Sequence, residues 1–323
     1  MTTFNKFIIV LTLISTNVLS VKAQTPRIDI KVKGLYPEGT VYDAKVGKFY
    51  VSSVIDGTIG VVDAQGNYSK FYEDKNLKST YGMKIDPKKG LLWVCVSDGN
   101  YSKHSDSSTY KKMGRVIAVD LKTGKKQKDI DLAKLFEGKH FINDLTLDKE
   151  GNLFITDSFS PVIYKVDAKG VASVFAQSDL WKGEDIGLNG IAFHAGGFLL
   201  VDDGRAGVLY KVDINNPENI TRVKIDQFFP GADGLLLNDQ DQLILIQNKS
   251  VDKVFQLEST DNWQTAKVKA ATAATDRFQQ PSTATQANGK VFVLNSKLNE
   301  LADPTKKPSP EFSLQEVVLK STD

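Results

Sequence analysis

The stretch Pro37-Glu38-Gly39-Thr40-Val41-Tyr42-Asp43 recurs, altered, five more times along this chain of 323 residues. The copies are Tyr81-Gly82-Met83-Lys84-Ile85-Asp86, Asn143-Asp144-Leu145-Thr146-Leu147-Asp148, Asn189-Gly190-Ile191-Ala192-Phe193-His194, Asp233-Gly234-Leu235-Leu236-Leu237-Asn238 and, most altered, Pro281-Ser282-Thr283-Ala284-Thr285. Each opens a short alternating strand, and a second apolar run starts about ten residues later. Aligning the copies on that second run yields one column: Glu38, Tyr81, Asn143, Asn189, Asp233, and Pro281 or Ser282.

Around these copies strand signals dominate and helical periodicity is nearly absent. Gly151-Asn152-Leu153-Phe154-Ile155-Thr156 and Gly289-Lys290-Val291-Phe292-Val293-Leu294 are typical second runs. Third runs end in aspartate at Asp63, Asp120, Asp167 and Asp213, and a more polar fourth run follows. Four strands per unit in six units predict an all-β fold, a six-bladed β-propeller. The sixth unit lacks an outer strand after its run from Phe312 to Leu319. The segment Arg27-Ile28-Asp29-Ile30-Lys31-Val32 supplies one, so an N-terminal strand is expected to close the last blade.

Residues 1–23 read as a signal peptide. Lys6 precedes a mostly apolar run from Phe7 to Leu19, and Val21-Lys22-Ala23 suits cleavage before Gln24. The run is short and interrupted by Thr12, Ser15 and Asn17, which disfavours a membrane span. Residues 24–323 would form one exported domain, periplasmic or secreted, with no membrane attachment after cleavage. Without the leader the charges balance at 39 against 39. That balance gives no reason to expect nucleic acid or an anionic membrane as a partner. The single cysteine, Cys95, lies in Leu91-Leu92-Trp93-Val94-Cys95-Val96 and reads as a small buried hydrophobe.

First strands of a propeller line its central channel, so the column residues would face one another. Two carboxylates, Glu38 and Asp233, and two amides, Asn143 and Asn189, make an all-oxygen set suited to a hard divalent cation. Without a cation the two carboxylates would repel, and one would tend to keep its proton. Three long connections fall on the same face: Ser97 to Met113, Gln177 to Gly187, and Ser296 to Pro310. Loops on a rigid scaffold are where function concentrates. His140 and Trp181 are candidates to reach the mouth from that face. His194 falls where other copies end in Asp or Asn and reads as a strand-end hydrogen bond. Asp202-Asp203-Gly204-Arg205 reads as a surface turn on the loop-rich face, from which Arg205 could reach a substrate.

The Glu38-Gly39, Asn143-Asp144, Asn189-Gly190-Ile191-Ala192-Phe193 and Asp233-Gly234-Leu235 motifs, in this order, resemble the gluconolactonase, senescence-marker-protein (regucalcin) and luciferin-regenerating-enzyme family. The resemblance spans nearly all of the chain after the leader. It implies one divalent cation in the channel: Ca²⁺ first, with Mg²⁺, Mn²⁺ or Zn²⁺ as alternatives. Glu38, Asn189 and Asp233 would be ligands, and Asp233 would also be the general base. Asn143 would bind the cation through water or contact substrate. Phe141, Tyr81, His140 and Trp181 complete the expected substrate-binding set. The chain departs from the family at Thr40 and Tyr42, where the family often has Pro and Trp, and at Asn238, where it often has Asp. Phe141 stands where the family usually carries a substrate-holding Arg. That change favours a less hydroxylated, more apolar lactone-like small molecule over a sugar acid. The implied activity is metal-dependent opening of a lactone or related cyclic ester. The alternative from another class is a silent propeller that binds a small molecule or a protein partner, and a propeller enzyme of the strictosidine-synthase or paraoxonase kind is a third.

Overall fold

A computed structural model describes residues 26–238, 240–249 and 251–322. The expected leader lies outside the described residues. Six antiparallel sheets carry the rest, and among the described residues the helices are short 3-10 turns only. None is long and apolar enough to cross a membrane.

The inner strands are Thr40–Asp43, Ser79–Asp86, Ile142–Leu147, Leu188–His194, Ala232–Leu237 and Pro281–Ala287. They neighbour one another in chain order, and the last returns to the first. The fold is a six-bladed β-propeller. Each blade is sandwiched between two others, so both faces of its middle strands are buried. That is why Leu91-Leu92-Trp93-Val94-Cys95-Val96 is continuously apolar rather than alternating. Met83, Leu92 and Val94 pack with Tyr50 and Ile59 of the preceding blade. Leu199 and Ile191 pack with Phe154 and Ile163 in the same way two interfaces further round.

Recurring acids end strands because they organise the turn that follows. Asp63 Oδ1 accepts from the N–H groups of Gln65 and Asn67, and Asp120 Oδ1 from those of Lys122 and Thr123. Asp86, Asp148 and Asn238 play this part after inner strands. His194 does so with its ring: Nδ1 accepts from Gly196 N–H at 2.9 Å, leaving Nε2 to donate to Asp241 at 2.8 Å. The strand-end reading of His194 matches this geometry.

Strand Arg27–Ile30 pairs antiparallel with Phe312–Glu316, Arg27 opposite Gln315 and Ile30 opposite Phe312. The last blade thus takes its outer strand from the N-terminal side. The run expected to reach Leu319 ends at Glu316. Beyond it, Lys320–Ser321 crosses to the neighbouring sheet and pairs with its outer strand, Lys267–Ala271.

Candidate functional site

Every inner strand from the second blade to the sixth carries the same irregularity. Against the second strand, register slips by one residue between Thr80 and Met83, Ile142 and Leu145, Leu188 and Ile191, Ala232 and Leu235, and Pro281 and Ala284. One extra residue in one strand is a β-bulge, which re-aims side chains. The bulged pairs are Tyr81-Gly82, Asn143-Asp144, Asn189-Gly190, Asp233-Gly234 and Ser282-Thr283. The first member of each is a column residue, so the sixth position is Ser282 rather than Pro281. In the first blade the Glu38 and Gly39 N–H groups both donate to Ser52 Oγ, at 3.0 and 2.7 Å. Ser282 donates to the Glu38 carbonyl at 2.6 Å, joining the sixth blade to the first.

The glycine after the column residue is dictated by the next blade. A Cβ on Gly39 would lie 2.1 Å from the Tyr81 carbonyl oxygen, and one on Gly190 2.5 Å from that of Asp233. Asp144 breaks this pattern and puts a carboxylate into the channel wall, where its Oδ1 accepts from Leu145 N–H at 2.8 Å.

Glu38, Tyr81, Asn143, Asn189 and Asp233 line one cavity of about 310 Å³, and Phe141 lines it with them. All three long connections overhang it, through Tyr101, through Asp185 and Ile186, and through Leu298, Asn299 and Ala302. Arg205 also lines it, so the turn that carries it borders the cavity.

Buried acid dominates the electrostatics. Burial raises the Glu38 carboxyl well above its ordinary range, and the Asp233 and Asp144 carboxylates push it further. Burial also lifts Asp233 to about 7, against hydrogen bonds from Asn248 and Asn189 that favour its ionised form. Asp202, fully buried, is raised by desolvation and then by Asp233, Asp203 and Asp144. Asp144 is raised by burial and partly relieved by Lys84.

Acceptors of the cavity lining are unpartnered: among the described residues, buried Glu38 Oε2 and Asn143 Oδ1 have no hydrogen-bond donor. Asn143 holds its orientation by donating Nδ2–H to Ser158 Oγ at 2.9 Å, which leaves its carbonyl oxygen available. Buried acceptors without donors are costly, and a cation is one way to satisfy them. Among the described residues no three Asp, Glu, His or Cys side chains gather into a metal cluster. The donor set that fits is mixed: carboxylates of Glu38 and Asp233, amide oxygens of Asn143 and Asn189. Such a set suits an oxygen-seeking ion better than one that prefers nitrogen and sulfur.

Two expected contacts are corrected. His140 is buried below the loop face, its Nδ1 2.8 Å from Asp157 Oδ2, and it does not line the cavity. Its backbone neighbour Phe141 does, because successive extended residues point opposite ways. Trp181, on the 3-10 turn Asp179–Trp181, is buried in the core edge-on to Tyr210 at 6.2 Å and is likewise not in the lining. The apolar indole fills space beneath the loop instead of walling the mouth.

Sequence reasoning missed Asn248 and the burial of Asp202. The signal was present: every second strand ends in a polar pair, Ser52-Ser53, Ser97-Asp98, Asp157-Ser158, Asp202-Asp203, Gln247-Asn248 and Asn295-Ser296. These pairs pin one blade to the next. Ser158 Oγ donates to Leu188 O at 2.6 Å, and Asn248 Nδ2 donates to Pro281 O at 3.0 Å.

No protein-family model matches the chain. It is 25% identical over 288 residues to the major allergen Mal f 1 of Malassezia furfur, covering 80% of this chain and 81% of that protein. The crystal structure of the allergen Mala s 1 of Malassezia sympodialis superposes with a TM-score of 0.71 at 18% identity, covering 92% of this chain and 96% of that one. A luciferin-regenerating enzyme superposes at 0.60 (13% identity, 92% and 97% covered), and a candidate gluconolactonase at 0.59 (17%, 93% and 96%). The chain has the fold of the gluconolactonase and luciferin-regenerating-enzyme family. At these identities the likeness establishes architecture.

Proposed function

We propose that this chain is an exported, divalent-cation-dependent hydrolase that opens a lactone or related cyclic ester. The observation that carries the reading is the coincidence of unpartnered acceptors on Glu38 and Asn143 with the raised, amide-held carboxyl of Asp233 in one cavity. Glu38, Asn189 and Asp233 would hold the ion, with Asn143 beside them, and calcium suits the oxygen-only set best. When bound, the ion supplies Lewis-acid polarisation of the ester carbonyl and makes water more acidic.

The chain's own groups do the rest. Asp233, whose ionised form the Asn248 and Asn189 hydrogen bonds favour against the cost of burial, takes a proton from the attacking water. The new C–O bond forms at the carbonyl carbon, the ring ester bond breaks, and the departing alkoxide takes up a proton. The product is a hydroxy acid. Asn143, fixed by Ser158, orients the carbonyl end of the substrate. Phe141 and Tyr81 keep water away from the rest of it.

Acid release from a panel of lactones, followed by pH-stat with added Ca²⁺ or with chelator, tests the reading. Turnover that requires the ion and is abolished by Asp233→Ala in a folded protein supports it. Ion binding without turnover on any lactone would instead leave a small-molecule-binding propeller.

A further inference from the structure

Above the polar floor the cavity has two unlike sides. Numbering round the ring, the second blade stands opposite the fifth and the first opposite the fourth. Tyr81 and Phe141 meet edge to face at 4.6 Å, and Phe159 backs Phe141 at 5.3 Å. Tyr101, 44% exposed, continues this side up to the rim, and Val54 and Leu298 flank it. Across from them stand Arg205 and Lys249. The Arg205 guanidinium is fixed by Trp181 O at 3.0 Å, Asp203 Oδ2 at 3.1 Å and Asp185 O at 3.3 Å. It is seated against Gly183 and Gly187, where added Cβ atoms would come within 2.3 and 3.1 Å of it. The Lys249 side chain is 63% exposed, and its Nζ has Asp185 Oδ2 at 3.7 Å as its ion-pair partner.

We infer that the cavity selects an amphipathic lactone, with a flat apolar substituent against Tyr81, Phe141 and Tyr101 and an anionic substituent at Arg205 and Lys249. This rests on the lactone-hydrolase reading. A polyhydroxylated ring gains less here, because Val54, Phe141 and Leu298 offer its hydroxyls no partners, the Tyr81 hydroxyl being one buried polar group on this side, and each buried unpaired hydroxyl costs binding. An aryl group there gains apolar burial and edge-to-face contact. A carboxylate at the far rim meets a pre-oriented guanidinium, whose planar fork suits it, and a mobile ammonium.

The test compares kcat/KM for three γ-lactones: 4-phenyl, 4-(4-carboxyphenyl) and a polyhydroxylated aldonolactone. The aryl lactones should be preferred about tenfold to a hundredfold. Phe141→Ser should remove most of that preference, and Lys249→Glu should lower turnover of the carboxyphenyl lactone while sparing the phenyl one. Preference for the aldonolactone, or variants that act equally on all three, would overturn the inference. If no lactone is turned over, calorimetry with the ring-opened 4-hydroxy-4-(4-carboxyphenyl)butanoate separates the two ideas. Binding weakened by both variants supports the two-sided cavity although hydrolysis has failed. No binding, or binding indifferent to both variants, overturns it as well. The exposed Lys249 variant keeps the test decisive should Phe141→Ser fold poorly.

Discussion

The side-chain amide of Asn248 donates both to the carboxylate of Asp233 and to the carbonyl of Pro281 in the next blade, tying the proposed base to the ring itself. A hydrogen bond to a carboxylate favours its ionised form. Replacing Asn248 by Ala should therefore raise the Asp233 pKa. The acid limb of the pH–rate profile should move up by about one pH unit, and kcat/KM at pH 7 should fall about fivefold. An unmoved acid limb would rule out this positioning role.

Cation removal should make stability depend on pH. Burial raises the carboxyls of Glu38, Asp144, Asp202 and Asp233 in the folded protein. An acid whose folded pKa exceeds its unfolded value takes up protons on folding. Its penalty appears as pH rises above the unfolded value near 4 and is complete above the folded one, about 7 for Asp233. In chelator the Tm should drop by roughly five degrees or more between pH 5 and 8, and saturating Ca²⁺ should flatten the curve. A flat profile in chelator would count against the buried acids' being unpaired.

Glu38→Gln separates stability from binding. Removing a buried acid that must either keep its proton or bear an unpaired charge should raise the chelator-treated Tm at pH 8 by a few degrees, while calcium affinity falls at least tenfold by calorimetry. Lower Tm with unchanged affinity would place Glu38 outside the ion site.

Gly39→Ala probes the contact between blades. The new methyl would sit 2.1 Å from the Tyr81 carbonyl oxygen, main chain that moves only if the inner strands part. We expect about 3 kcal/mol of destabilisation by urea unfolding. A loss under 0.5 kcal/mol would show that the inner strands can part easily.

His140→Leu tests the corrected placement. It leaves Asp157, fully buried, without its imidazole, although Asp157 Oδ1 still accepts from Phe141 N–H at 2.8 Å. Stability should fall by about 2–4 kcal/mol with kcat/KM within about twofold of the parent. A large kcat effect in a stable variant would return His140 to the mouth.

The architecture was legible because a propeller repeats its pattern at each blade: six column residues and recurring strand-end acids announce the blades. The column also named the cavity's floor, since equivalent positions on inner strands must converge. What escaped lay where neighbouring residues diverge. His140 and Phe141 are adjacent, yet one is buried against Asp157 and the other lines the cavity. Trp181 sits in a surface connection by sequence, but its apolar bulk is satisfied only in the core. Asn248 and Asp202 belong to second strands, which the inner-strand alignment never compared. Choosing Ser282 over Pro281 required knowing that the inner strands of the second to sixth blades bulge, a fact of register that hydrophobic alternation does not encode.

The pairing of Arg27–Ile30 with Phe312–Glu316 has a kinetic consequence. The first described strand to be synthesised must wait for nearly the last before it finds its partner. Until then the ring has two raw edges, and the closing contact is among the longest in sequence that the chain can make. Such long-range pairing is slow, and open edges invite association between chains. Maturation of this protein should therefore be limited by a late docking step that is sensitive to protein concentration. The same seam, where the first described strand pairs with Phe312–Glu316, is where unravelling should begin.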